Sequence, residues 1–329
     1  NPDGWDGNIS ENAPSQIDGV YQISNASELL WFANAAKTAA DIKAVLTRNV
    51  DLNNRNWTPI GGASAETAYL GTFDGGGFTI SNLYIKAAGQ TGLFNYNCGE
   101  IKNLTISGKI IGSDYSSAIA SKNAGTITNC VADVYIKGGN YTGAITADNI
   151  GGTIKRCKNT GSVFGEQYVS GIVARNTGTV TESANLGLVW AKGAFVGGVV
   201  ADNESQVDLN AVVTNCANCG HIFSENTSAR SFVGGVVGRN NSTVQNLYNT
   251  GNVSSKGSCV GGAVGLSTVG TTTKGIYSKG EVIGANVETE DGEDYRIGGA
   301  IGKVITGVED AYYLNTISVS TTSGGEAVS

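Results

Sequence analysis

Histidine occurs once in this chain, at His221, proline occurs three times, and no stretch of about 18 apolar residues is present. A single histidine excludes any metal site built on two histidines, the zinc arrangement His-Glu-x-x-His included. Without a long apolar run, no segment reads as a membrane-crossing helix, and no signal-peptide pattern is present. Basic residues are also few. Lys and Arg number 21 against 28 Asp and Glu, for a net charge of -7 and a pI near 4.8, so nucleic acid is excluded as a partner. Only 15% of residues are charged, while glycine numbers 48. That balance argues against long helices and for many tight turns between short strands. Gly75-Gly76-Gly77 is not followed by Lys-Ser or Lys-Thr, so it is no phosphate loop, and no cofactor is expected.

What is present is a repeat. Gly234-Gly235-Val236-Val237-Gly238-Arg239-Asn240 recurs as Gly197-Gly198-Val199-Val200-Ala201-Asp202-Asn203, and more loosely as Ser170-Gly171-Ile172-Val173-Ala174-Arg175-Asn176. Aligned on Gly92, Ala118, Ala144, Gly171, Gly198, Gly235, Gly262 and Gly299, the copies are spaced by 26, 26, 27, 27, 37, 27 and 37 residues. A steady period of this size means stacked coils, two of them carrying about ten inserted residues. One aliphatic column runs through Ile101, Ile127, Ile154, Val180, Val213 and Val244, and another through Ile110, Ile136, Val163, Val189, Ile222 and Val253. With the anchor strand, that predicts three short strands per coil and an all-β, three-sided parallel solenoid.

The whole chain reads as one solenoid domain: an N-terminal cap over 1–60, coils over 61–317 and a linker-like tail over 318–329. The coil count of 38–90 stays open, since its spacing departs from 27. Asn25 with Glu28 three residues on, followed by the apolar stripe Leu29, Leu30, Phe32, Ala33 and Ala36, predicts a capping helix over 25–37. A first residue Asn1 and the tail Ser320–Gly325 suit a piece of a longer chain.

Two asparagine columns stand out: Asn97, Asn123, Asn149, Asn176, Asn203 and Asn240, then Asn159, Asn185, Asn218 and Asn249. Asparagine tolerates the left-handed backbone of a turn, and its amide can bond its counterpart one coil away. These are read as structural ladders, not ligands. Cys130, Cys157 and Cys216 share a column with Leu104, Ser183 and Ile276, which makes them small buried hydrophobes. All six cysteines are expected to be free thiols.

The runs Gly71-Thr72-Phe73-Asp74-Gly75-Gly76-Gly77-Phe78-Thr79-Ile80-Ser81-Asn82-Leu83 and Thr91-Gly92-Leu93-Phe94 to Ile101-Lys102-Asn103-Leu104 resemble the GLUG-type repeat. The later Gly-Gly-hydrophobic-hydrophobic pieces do too, so the resemblance covers roughly residues 20–317. It implies a right-handed parallel β-helix in a secreted or surface-attached bacterial protein, of the kind found in gut bacteria. Such repeats also occur in non-catalytic regions of immunoglobulin-A-cleaving metallopeptidases. The resemblance does not imply peptidase activity.

An enzymatic β-helix needs clustered carboxylates or a basic residue beside bound calcium, whereas the repeat columns here read as Asn, Thr, Ser and aliphatics. His221, with Ser224 and Glu225 nearby, lies in an insertion and reads as a surface residue. No catalytic residue and no metal ligand is assigned. The acidic loop Glu288, Glu290, Asp291, Glu293 and Asp294 fits no known calcium-loop spacing and reads as solvated.

The candidate binding residues are an aromatic column three residues before each anchor, Tyr115, Tyr141, Tyr168, Phe195 and Phe232, together with Trp190 in the same corner region. Exposed, these rings would form a stripe against which sugar rings pack; the plainer reading is that they seal a corner of the solenoid. The expected function is a non-catalytic, adhesin-like module, monomeric and extracellular, that binds or presents a surface to a host or environmental glycan or protein. The alternatives are a carbohydrate-active β-helix enzyme and an accessory segment of a larger immunoglobulin-A peptidase.

Overall fold

The computed structural model of the chain describes residues 5–206, 209–268, 270–285, 297–305, 308–314 and 326–328. Within them the chain is a parallel β-solenoid of about ten turns with one α-helix. The aliphatic columns pair in the register that the spacing predicts. Ile101, Ile127, Ile154, Val180, Val213, Val244, Thr273 and Val308 form one continuous parallel ladder. The third-strand column runs likewise from Ile85 through Ile110, Ile136, Val163, Val189, Ile222 and Val253 to Val282. All but Thr273 and Val308 of these are aliphatics turned into a core from which water is excluded. Pairing identical or similar residues coil upon coil keeps that core filled.

Pairing begins earlier than the 27-residue spacing suggests. Val20–Ile23 pairs with Lys43–Leu46, and Ala44 in turn pairs with Phe73, which pairs with Ile101. Two coils therefore occupy the stretch whose count was open, and the ladder extends into residues read as cap. Above it, Gln16–Ile17 turns through Asp18 and Gly19, both at positive φ, to pair antiparallel with Val20–Ile23. An Asp-Gly turn is suited to such a hairpin, which covers the open edge of the parallel sheet.

The helix spans Ala26–Ala35, inside the predicted 25–37. Asn25 Oδ1 accepts the Glu28 N–H at 3.0 Å, and the Glu28 carboxylate reaches back to the Ser24 N–H at 2.6 Å. Leu29, Phe32 and Ala33 face inward, where the Phe32 ring meets Tyr69 and Phe73, which in turn meet Phe94. These aromatics plug the end of the solenoid.

The two asparagine columns are buried amide ladders. Nδ2 donates to Oδ1 of the next coil from Asn97 to Asn123, Asn149, Asn176 and Asn203 at 2.8 Å each, then to Asn240 at 2.9 Å. The second ladder links Asn159, Asn185, Asn218 and Asn249 at 2.7–2.8 Å. Asn176 also donates to the Gly178 carbonyl and accepts the Gly178 N–H, so both donors and both acceptor positions of its amide are used. The turn argument belongs elsewhere. Left-handed backbone falls on a third column, at Asn82, Asn103, Asn129, Arg156, Glu182, Asn215 and Asn246, where the chain turns between its second and third strands. The ladder asparagines themselves sit on strand ends without positive φ.

A short strand absent from the three-per-coil expectation precedes each anchor from Ala144 onward. Tyr141–Gly143, Tyr168–Ser170, Phe195–Gly197 and Phe232–Gly234 begin a six-stranded sheet of their own. The paired glycines make the bend between this sheet and the eight-stranded anchor sheet, and each has its own reason. A Cβ on Gly197 or Gly234 would strike the carbonyl of Val200 or Val237. A Cβ on Gly198 or Gly235 would strike Asn218 or Asn249 of the inner ladder. Gly-Gly-Val-Val is thus a sharp arch leaning on an amide ladder.

Cys130, Cys157 and Cys216 are buried, and burial pushes the Cys216 thiol up to about 12 and the Cys130 thiol well above its ordinary value. Cys259 is buried and raised in the same way, whereas Cys219 is exposed. Because the thiolate is the nucleophile, iodoacetamide at pH 8 should label Cys219 in the native protein and leave the four buried thiols unmodified until denaturant is added. Mass spectrometry reads this directly, and native labelling of Cys216 at the rate of Cys219 would contradict the buried column.

Removing one ladder amide takes one cross-coil bond from each of Asn149 and Asn203 and two bonds from the Gly178 backbone. Asn176→Ala should therefore lose about 3–5 kcal/mol, seen as a lower urea midpoint, while Lys137→Ala on the exposed face should change it by under about 0.5 kcal/mol. Equal midpoints for the two variants would contradict the ladder's role.

Candidate ligand-binding faces

The predicted rings fall into two outward aromatic columns, and Trp190 is not in the same one as Tyr168. The first column sits on the six-stranded sheet. Tyr115, Tyr141, Tyr168 and Phe195 stack at centroid distances of 4.8, 4.7 and 4.5 Å with planes within 16° of parallel, and Phe232 tilts away at 5.2 Å and 60°. The four stacked rings are half-buried and Phe232 is 8% exposed. Rings this close cover one another's faces, so solvent meets their edges and the tyrosine hydroxyls. Burial raises the Tyr141 and Tyr168 phenols above the ordinary value, with negative neighbours adding to it. A sugar cannot lie between such rings.

Beside this stack runs a column of charge. Tyr96, Lys122, Asp148, Arg175, Asp202 and Arg239 are consecutive register partners on the anchor sheet, each immediately before a ladder asparagine. The expectation that repeat columns carry only Asn, Thr, Ser and aliphatics is corrected here. Arg175 grips Asp148 through Nε and Nη2 at 3.0 and 2.5 Å, and Arg239 grips Asp202 at 2.8 and 2.6 Å. Both carboxylates are about 1% exposed. Each guanidinium also lies over a ring, Arg175 over Tyr141 at 5.5 Å and Arg239 over Phe195 at 4.8 Å. The hydrogen bond to Asp148 raises the Arg175 pKa, and at Arg239 the Asp202 contact outweighs burial in the same direction. Forked geometry of this kind suits arginine. Both carboxylates are fully engaged in tying one coil of the anchor sheet to the next, which is not the arrangement of a general acid–base pair. The column was visible in the repeat as Lys-Asn, Asp-Asn, Arg-Asn, Asp-Asn and Arg-Asn, read one residue ahead of each ladder amide.

Further along, the stack ends in an outer apolar cluster of Phe195, Phe232, Cys259 and Leu266. The outer residues of the anchor sheet shrink to Ala147, Ala174, Ala201 and Gly238 where the six-stranded sheet lies against them; a Cβ on Gly238 would meet the Val196 and Phe232 carbonyls. Of the two readings of the Tyr115–Phe232 column, sealing a corner describes its geometry.

The second column is on the third-strand face. Register places Phe164, Trp190 and Phe223 side by side, while Tyr135 pairs with Ser162 and its ring reaches Phe164 diagonally. Their centroids lie 5.2, 6.0 and 6.5 Å apart, looser than in the first stack. Tyr135 is 41% exposed, and Leu186 and Leu188 on the same side are 44% and 37% exposed. The Lys109 ammonium lies 5.7 Å over Tyr135. The interior of this strand already has its Ile136, Val163, Val189 and Ile222 core, so the rings are not needed to fill it.

His221 is exposed at the register position beside Leu188, its carbonyl accepting the Val189 N–H, and it holds no Ser or Glu partner. Of the insertions, Gln206 and Leu209 exchange backbone bonds at 3.0–3.1 Å, and Ser231 meets Ser255 at 3.0 Å. The acidic loop Glu288–Asp294 lies outside the described residues. Among the described residues, no group of three or more His, Cys, Asp and Glu is placed to hold a metal, and no helix is long and apolar enough to cross a membrane. A cleft of about 560 Å³, not anticipated from the sequence, lies between the start of the helix and Arg48–Asp51, with Trp5 on one wall. The helix end there is already satisfied by Asn25 and Glu28.

No protein-family model matches the chain, and no curated protein matches it. Among solved structures it is similar to the crystal structure of a "putative immunoglobulin A1 protease" from Bacteroides ovatus, with a TM-score of 0.64 and 21% identity, covering 75% of this chain and 80% of that one. Likeness at that identity establishes a shared fold.

Cutting one partner from a buried pair strands the other charge, at a cost of about 3–5 kcal/mol. Arg239→Met should therefore lower the denaturation midpoint markedly, and adding Asp202→Leu should restore most of the loss. A single variant as stable as the parent would show that the pair does not tie the coils together.

Proposed function

We propose that this chain is a non-catalytic extracellular module that holds out a row of aromatic rings to an extended glycan. The observation that carries the reading is the outward row Tyr135, Phe164, Trp190 and Phe223, half-exposed on a sheet whose core is complete without it. Its rings repeat once per coil, a spacing comparable with the length of a pyranose ring, and sugar C–H faces pack on aromatic rings. A stiff repeat body suits such display, because each coil is fixed by its neighbours. The GLUG-type reading of the repeat, and with it a place on a bacterial surface, agrees with the glycine anchors at the arch.

A second reading has its own support. The fold likeness to a protein named as an immunoglobulin A1 protease suits an accessory segment of a larger peptidase, in which the solenoid would position a catalytic domain carried elsewhere. The two readings are compatible, since an accessory segment can also dock on glycosylated surfaces.

Screening the full chain on a glycan array tests the proposal. Binding to extended neutral or acidic glycans should fall about tenfold or more in Trp190→Ala, since base- and ring-stacking contacts of this type are worth about 1–3 kcal/mol. Tyr168→Ala, in the sealed stack, should lower the melting temperature and leave binding within about twofold per folded molecule. The absence of binding, or equal losses in both variants, would count against the Trp190 face.

A further inference from the structure

Resting on the reading of the Trp190 face as a glycan platform, we infer that its ligand is an anionic glycan with an acidic group on every second sugar. The register that lines up Phe223, Trp190 and Phe164 continues in the same outward column through Lys137, Ile111 and Lys86. The neighbouring outward column, two residues earlier on each strand, pairs Tyr84 with Lys109 and Lys109 with Tyr135. Between the two columns lie Ile85, Ile110 and Ile136, all fully buried, so the flanking side chains stand on the outside of one sheet. Lys86, Lys109 and Lys137 are exposed, and Tyr84 and Ile111 are half-buried. Strand pairing thus makes the aromatic row and the lysines one continuous surface.

The charge on that surface is uncompensated. Elsewhere on this chain of net charge -7, Lys102, Lys155, Lys192 and Lys274 each hold a carboxylate at 2.9–3.0 Å. Lys86, Lys109 and Lys137 hold none among the described residues. Their strands, Thr79–Lys86, Thr105–Ile111 and Val131–Lys137, carry one acidic residue, Asp133, which accepts the Thr160 hydroxyl at 3.2 Å. Past the strand ends, Asp114 accepts the Asn140 backbone and side-chain N–H groups, and Glu166 is taken by Lys192. The Lys109 ammonium lies 5.7 Å over the Tyr135 ring, a contact that keeps it against the face.

Spacing then selects the ligand. Lys86 and Lys137 stand two coils apart in one column, about 10 Å by strand spacing, with Lys109 on the coil between. A glycan running along the solenoid axis sets one sugar per coil, as on the Trp190 row, so acids on alternate sugars recur every second coil. An ammonium is a point charge that does not read the shape of an anion, so carboxylate and sulfate serve alike. A neutral chain leaves the lysines unmatched, and a polyanion without sugar rings leaves Trp190 unmatched.

Calorimetric titration of the full chain tests this with four probes: an oligosaccharide of alternating glucuronate and N-acetylglucosamine, its carboxyl-reduced form, that reduced form after sulfation, and polyglutamate. At least one charged sugar should bind about tenfold more tightly than the neutral form, and should lose that advantage as salt rises from about 0.05 to 0.5 M. Lys86→Gln, Lys109→Gln and Lys137→Gln combined should cost the charged sugar about tenfold, each exposed pair contributing a modest part, with neutral-sugar affinity and melting temperature unchanged. Lys37→Gln, beyond the capping helix, should leave every affinity unchanged, and Trp190→Ala should weaken every sugar. Equal affinity for charged and neutral sugars, with Trp190→Ala still weakening both, would overturn the anionic assignment and leave the glycan face standing. No binding of any sugar would overturn both, and polyglutamate binding as tightly as the charged sugars would overturn the assignment to a glycan.

Discussion

Every outward feature of this molecule depends on coil-to-coil register, and the buried asparagine ladders pin that register. Aliphatic columns resist a one-residue slip, which would turn them outward, but not a change of partner, because Ile on Val costs little more than Ile on Ile. A buried amide tolerates neither. Displaced by one residue, Asn149 or Asn176 would lose its cross-coil bond and leave donors and acceptors unpaired in a dry interior. The glycine arch reinforces the constraint, since Gly198 and Gly235 can approach Asn218 and Asn249 only in this register. Two ladders and one arch therefore decide where each exterior side chain stands.

The exterior columns inherit that order and diverge in use. On the six-stranded sheet the rings stack closely and the arginines of the anchor sheet lie over them, so the aromatic residues serve packing. On the third-strand face, Trp190 and its neighbours stand on a core already filled and are spaced more loosely. The same residue class thus does different work on two faces, a distinction set by what lies underneath.

Much of the fold was legible because inward columns keep their type: the Ile101 and Ile110 columns, the asparagine ladders and the helix all read directly from spacing. The short strand at Tyr141–Gly143 was not, because three residues carry no periodicity and the bend depends on backbone approach rather than on a turn signature. The first coils were obscured by spacings that depart from 27. The candidate site was less legible. Trp190 and Phe195 are five residues apart in sequence yet belong to separate columns, and the Lys-Asp-Arg-Asp-Arg column shows only when charges are read against the ladder rather than counted across the chain.

Hydrogen exchange of the asparagine side-chain amides tests the central claim most directly. Carrying cross-coil bonds in a water-free interior, the Nδ2 protons of Asn123, Asn149, Asn176 and Asn203 are predicted to exchange as slowly as the strand backbone around them. Exchange as fast as that of exposed Asn8 would contradict the account, for the register would then be held by something else.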